Sequence, residues 1–239
     1  MIETFIALLL AHALADYLLQ TRWMVDHKAK AVPFLLHGLA VLLTAGLALG
    51  RWDAWEIATL AAAHMVIDAV KTIGKFNGIG PHLLDQIAHI TTIAAVAIYA
   101  PTLWETGLWA GYGSAIPHLF ALAAGLILVT RAGGFAVGTL MRGYDSSALP
   151  EGLKNGGMTI GLLERGLIYL FVLVGHPAGV GFLIAAKSIL RFDTTKDQQH
   201  GVAEYVIIGT LASFGWALLV SYAIATLQDL LPPFPGLSD

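Results

Sequence analysis

The chain has 239 residues, 57% of them hydrophobic and 12% charged, with a net charge of −3 and a mean hydropathy of +0.73. Soluble domains carry about 25% charged residues, so this composition excludes a disordered chain, a nucleic-acid binder and an ordinary water-soluble core. The absence of cysteine excludes disulfides, thiolate metal sites and cysteine nucleophiles.

Taken in chain order, apolar runs of about twenty residues, the length that crosses a bilayer as a helix, fall at about 3–21, 33–50, 54–72, 82–100, 117–137, 158–175, 178–192 and 202–227. The expected fold is all-α: a polytopic transmembrane helix bundle of about eight spans. The seventh run is short. The fifth either stops near Arg131 or continues through the small residues from Gly133 to Leu140, in which case Arg131 must snorkel or find a partner. Met1–Phe5 lacks the basic segment of a signal peptide, so no cleaved leader is expected. The polar interval 142–157 reads as a cytoplasmic connection between an N-terminal bundle, 1–141, and a C-terminal set of helices, 158–239.

Charge placement gives this map an orientation. Arg22, Lys28 and Lys30 lie between the first two spans, and Lys71 and Lys75 between the third and fourth. Arg131, Arg142, Lys154 and Arg165 flank the fifth connection, and Lys187, Arg191 and Lys196 the seventh. The opposite face has Arg51 alone. Basic residues collect on the cytoplasmic side of bilayers, which puts both termini on the non-cytoplasmic side. Trp52, Trp55, Trp104 and Trp109 then read as outer interfacial anchors.

Polar groups inside apolar spans are costly and call for a function. The first span holds His12, Asp16 and Gln20, the second His37, the third His64 and Asp68, and the fourth Asp85, Gln86 and His89. Three of these helices space a His and an Asp by four residues, which puts both side chains on one helix face. At 1.5 Å per residue, His12 and Asp16 lie roughly 15 and 9 Å from the basic end at Arg22, and His64 and Asp68 roughly 10 and 5 Å from Lys71. Four imidazoles and three carboxylates at similar depth suggest one constellation. His12, Asp16, His37, His64, Asp68, Asp85 and His89 are its candidate metal ligands, with Asp16, Asp68 and Asp85 as bridging ligands or a general base. The donor mixture suits one or two divalent ions of Zn, Mn or Fe. The competing reading is a set of separate His–Asp pairs that hold helices together.

Glu164, Arg165 and Lys187 form a second polar group in the C-terminal half. They read either as snorkelling and paired helix ends or as a pocket for an anionic headgroup. His27, His82, His118, His176 and His200 are expected to be solvated or interfacial, in loops or at helix ends, with His82 near enough to Asp85 to join the centre.

The segment Leu-Leu-Ala-His-Ala-Leu-Ala-Asp-Tyr-Leu-Leu-Gln-Thr-Arg-Trp-Met-Val, followed by Leu-Leu-His, His-Met-Val-Ile-Asp and Asp-Gln-Ile-Ala-His, resembles a bacterial multi-pass membrane family catalogued as domain of unknown function 3307. The resemblance implies an integral membrane protein of bacteria and brings no activity with it; the expected location is the bacterial cytoplasmic (inner) membrane. The residues themselves favour a membrane-embedded metal-dependent hydrolase working from the cytoplasmic side on a lipid-linked or amphiphilic substrate. The alternatives are a metal-dependent oxygenase or desaturase, a divalent-metal or proton transporter, and a non-catalytic scaffold. The expected partners are the lipid bilayer and that substrate, with no nucleic acid.

Overall fold

The computed structural model describes residues 1–145, 153–192 and 200–233, which leaves Lys196 and the middle of the 142–157 connection outside the described residues. The helices are α1 (Ile2–Leu14), α2 (Arg22–Asp26), α3 (Ala31–Leu49), α4 (Trp55–Ile73), α5 (Ile79–Tyr99), α6 (Ala115–Ile127), α7 (Gly133–Met141), α8 (Gly156–Leu173), α9 (Gly179–Phe192) and α10 (His200–Asp229). Two five-residue π-helical turns interrupt the series, Ala15–Leu19 after α1 and Leu128–Ala132 between α6 and α7. The described residues contain no strand, so the fold is all-helical.

Among the described residues, five stretches are long and apolar enough to cross a membrane: Ile2–Leu19, Ala31–Leu49, Ala115–Met141, Gly156–Leu173 and Gly201–Asp229. The fifth sequence run therefore continues past Arg131, which is exposed. α4 and α5 have comparable lengths, 19 and 21 residues, and are made more polar by their His and Asp side chains. α9, with 14 residues, rises about 21 Å, less than the ~30 Å of a hydrocarbon core.

The chain divides into two compact units, Met1–Ile127 with Thr226–Asp239, and Leu128–Ala225. In the first, α1 is the central helix. It is mostly apolar, with Ile6, Ala7, Leu8 and Ala13 buried, and it packs against α3, α5 and α6 while α4 closes on α3 and α5. Small residues at Ala7, Ala11, Ala45 and Ala48 let α1 and α3 approach closely within this core. Thr4 ties the start of α1 to the turn after α5: its hydroxyl donates to Pro101 O at 3.0 Å and accepts from Trp104 N at 3.2 Å. Trp104 belongs to the core, edge-on to Phe120, and is not the interfacial anchor expected from sequence; Trp52 and Trp55 are exposed. His118, also buried rather than interfacial, pairs with Gln228 and reaches Pro232 O at 2.8 Å, holding the returning chain end. Gly50 ends α3 with φ +67°, a left-handed turn where an added Cβ would meet Leu108 N.

The second unit is organised around Arg165. Its guanidinium donates to Thr130 O in the π turn and to Ser213 Oγ on α10, both at 3.0 Å. Gly133, Gly134 and Gly161 leave room for it, since a Cβ on any of them would come within 3.0 Å of that side chain. Trp216 Nε1 donates to Leu128 O of the same turn at 2.9 Å.

Helices of the first unit reverse the usual amphipathic order. On α5, His82, Asp85, His89, Ile93 and Ala97 are buried, whereas Leu84, Ile87 and Ile98 face outward. On α3, Val32, Leu35, Leu39, Leu43 and Leu47 form an exposed stripe opposite buried His37. Polar inside and apolar outside is the arrangement lipid favours, because the solvent is as apolar as the side chains it meets.

Candidate metal centre

Four helices deliver the polar groups. α1 and its π turn carry His12 and Asp16, α3 carries His37, α4 carries His64 and Asp68, and α5 carries Asp85 and His89. The π turn closes with Gln20 N bonded to Ala15 O at 2.9 Å. π turns are rare and tend to occur where a helix must re-aim a functional group.

The four imidazoles and Asp68 and Asp85 are buried, and the Asp16 side chain is 10% exposed. Their atoms converge. His37 Nε2 and His64 Nε2 are 3.1 Å apart. Asp16 Oδ1 lies 3.5 Å from the first and 3.4 Å from the second. Asp68 Oδ2 is 3.3 Å from His37 Nε2 and 3.8 Å from His64 Nε2. On its other side, Asp68 Oδ1 is 3.7 Å from His89 Nε2, which lies 3.8 Å from Asp85 Oδ1. The His64 and His89 rings stack with centroids 3.9 Å apart, and His12 lies over His89 at 5.2 Å.

Among the described residues, three sets of donors, His12–Asp16–His64, His37–His64–Asp68 and Asp68–Asp85–His89, each bring ligand atoms within 4.8 Å of one another and could hold a metal ion. Ligands bonded at about 2.1 Å to one tetrahedral ion stand about 3.4 Å apart. The edges among His37, His64, Asp16 and Asp68 scatter around that value. The sets share members: His64 joins the first two, and Asp68 presents one oxygen to each of the last two.

Neighbouring groups orient these donors. Gln86 Nε2 donates to Asp85 Oδ2 at 3.2 Å, which leaves Gln86 Oε1 to accept from His12 Nε2–H at 3.1 Å. His12 Nδ1 then carries its lone pair, 3.8 Å from Asp16 Oδ1. Lys28 Nζ sits 2.7 Å from Asp68 Oδ2, and Lys71 Nζ donates to Asp85 Oδ2 at 2.7 Å. Among the described residues, Asp16 has only imidazoles as ion-pair partners, and its Oδ1 makes no hydrogen bond. Nor do His12 Nδ1, Asp85 Oδ1 or either ring nitrogen of His89. A buried carboxylate surrounded by lone pairs is expensive without a cation.

All seven candidate ligands named from the sequence are thus brought together in the first unit. His82, buried in the first turn of α5, belongs to the same helix face as Asp85 and is not at an interface. Glu164, Arg165 and Lys187 lie in the second unit, where Lys187 Nζ donates to Glu164 Oε2 at 2.7 Å and Arg165 is held as described above. Sequence reasoning missed the contacts of Gln86, Lys28 and Lys71. The two lysines had counted only as orientation charges, although each lies within reach of an Asp through its long side chain.

Fold and centre together define an all-helical protein with membrane-length apolar helices and a buried His/Asp cluster. Residues 4–109 match the family model described as Protein of unknown function (DUF3307), the family that the motifs resemble. The match contains every candidate ligand together with Lys28, Lys71 and Gln86. No curated protein and no solved structure matches the chain.

Proposed function

We propose that this protein is a membrane-embedded, metal-dependent hydrolase that acts from the cytoplasmic side on a lipid-linked or amphiphilic substrate. The observation that carries the reading is the convergence of seven donors into overlapping sets, two of which share Asp68 through its two oxygens. Such donors would hold one or two divalent ions of Zn, Mn or Fe. His12, His37, His64 and His89 supply imidazole nitrogen, and Asp16, Asp68 and Asp85 supply oxygen.

A divalent ion there contributes Lewis acidity and lowers the pKa of water to near neutrality. The chain's own residues do the rest. Gln86 holds the His12 tautomer, and Lys71 and Gln86 fix Asp85. Asp16, the one of the three carboxylates without a lysine partner among the described residues, would serve as general base in place of ligating the ion and take the proton that water releases when it attacks.

The proposed topology has eight passes, both termini on the non-cytoplasmic face and the centre near the cytoplasmic one, in a bacterial cytoplasmic membrane. It rests on twelve of thirteen basic residues falling on one side of the span map. Transport is disfavoured because the side chains beyond the centre, Thr92 apart, are apolar. His12, His64 and His89 border a cavity with room for about one water molecule, lined beyond them by Leu8, Val41, Leu60 and Ile93.

Plasma mass spectrometry of detergent-purified protein tests the proposal, alongside His64→Ala and Asp85→Ala variants that remain folded. One or two equivalents of Zn, Mn or Fe, lost in both variants, is the expected result, and iron would favour the oxygenase alternative. No metal in protein prepared without chelator, and none taken up on titration, would leave packing as the role of the cluster.

A further inference from the structure

Lys28 and Lys71 differ from everything else at the centre. The ligand side chains are between 1% and 10% exposed, whereas Lys28 is 19% and Lys71 27% exposed. The two lysines form a cationic rim between the buried cluster and its surroundings. They come from different segments, one after α2 and one in the last turn of α4.

Charge then narrows the class of ligand. Three carboxylates and two ammonium groups, with neutral imidazoles, leave one negative charge. Two divalent ions would turn this into three positive charges in a largely buried site. Lys28 Nζ also contacts Asp68 Oδ2, the oxygen that faces His37 and His64, so an ion there competes with the lysine for it. A lysine displaced from that oxygen has a flexible four-carbon stem with which to follow the nearest anion at the rim. A singly charged carboxylate leaves most of this charge unmatched. A phosphoryl group with two or three negative charges matches it, and lysine binds phosphate oxygen well.

We infer that Lys28 and Lys71 form the anion clamp of the substrate site, and that the substrate presents a phosphate monoester or diphosphate group to the metal pair. This rests on the metalloenzyme reading above. The phosphoryl group belongs either to a lipid headgroup or to a free phosphate.

The test uses the full chain in detergent, with metal content measured first and inorganic phosphate then titrated calorimetrically into Mn²⁺-loaded protein. Compared at equal, full Mn²⁺ loading, Lys28→Gln and Lys71→Gln should each weaken phosphate binding roughly 10-fold, and the pair roughly 100-fold. Lys28→Arg and Lys71→Arg, which keep the charge and the contact with the carboxylate, should retain binding and serve where a Gln variant folds poorly. Tighter binding to phosphatidate nanodiscs than to inorganic phosphate, against phosphatidylcholine discs as blank, assigns the group to a lipid; equal binding assigns it to a free phosphate. The inference is overturned if loaded protein ignores phosphate, or if the Gln variants bind it as the natural chain does. Failure to bind metal is seen before phosphate is added and overturns the underlying reading instead.

Discussion

Gln86 decides which nitrogen of His12 is open to a cation. Its amide nitrogen is committed to Asp85 Oδ2, so its oxygen faces His12 Nε2 and the lone pair goes to Nδ1, inside the cluster. Gln86→Leu removes the tautomer lock while filling similar space. Metal affinity should fall 10- to 100-fold with helix content unchanged, as measured by competition with a chelating dye and by circular dichroism. Thr4 makes the contrasting case of a polar residue with no part in the centre. Thr4→Val strands Pro101 O and Trp104 N and should cost about 1–3 kcal/mol, seen as a lower melting temperature in detergent at full metal content. At this scale the sequence is informative about His and Asp, because spacing by four residues fixes their common face before any tertiary contact is known. It is silent about Gln86 and the lysines. The donor that Gln86 serves depends on where α1 lies against α5, and the reach of Lys28 back to Asp68 depends on the path of the segment after α2.

Between residue and molecule, the helices are legible and their irregular turns are not. Apolar runs located α1, α3 to α5 and α8 to α10, and a single run stood for α6 and α7 together, since length and hydrophobicity suffice for that. The π turns have no composition of their own; they arise where tertiary bonds compensate the displaced carbonyls. The turn Leu128–Ala132 illustrates this, with Leu128 O taken by Trp216 and Thr130 O by Arg165. Trp216→Phe keeps the ring and loses the donor, so it should destabilise the second unit by about 1 kcal/mol, measurable by thermal unfolding. The reversed amphipathicity of α3 carries a sharper expectation. Leu39 is 48% exposed near the helix centre. On a soluble protein Leu39→Asp would be close to neutral, within about 0.5 kcal/mol. In lipid it should oppose insertion by about 3 kcal/mol, and the membrane-inserted fraction in a translocation assay should drop accordingly.

For the molecule as a whole, the question is which face of the membrane the centre opens toward. Composition and the outward apolar faces of α3 and α5 argue for lipid around the helices, but neither distinguishes the two sides. Basic residues do, because loops rich in Lys and Arg are retained in the cytoplasm. Since the chain has no cysteine, single cysteines can be introduced without background. Trp52 and Tyr112 are exposed in connections assigned to the outside, and Phe76 and Tyr144 in connections assigned to the cytoplasm. Trp52→Cys and Tyr112→Cys should react with an impermeant maleimide in right-side-out vesicles. Phe76→Cys and Tyr144→Cys should react only in inverted ones. The centre lies near the ends of α4 and α5 that flank Phe76, with Lys71 and Asp85 paired there, so this labelling also fixes the side from which substrate arrives. Labelling of Phe76→Cys from outside would turn the anion clamp toward the non-cytoplasmic face. A water-soluble cytoplasmic phosphate ester would then lose its route to the metal ligands, while a lipid in the outer leaflet would gain one.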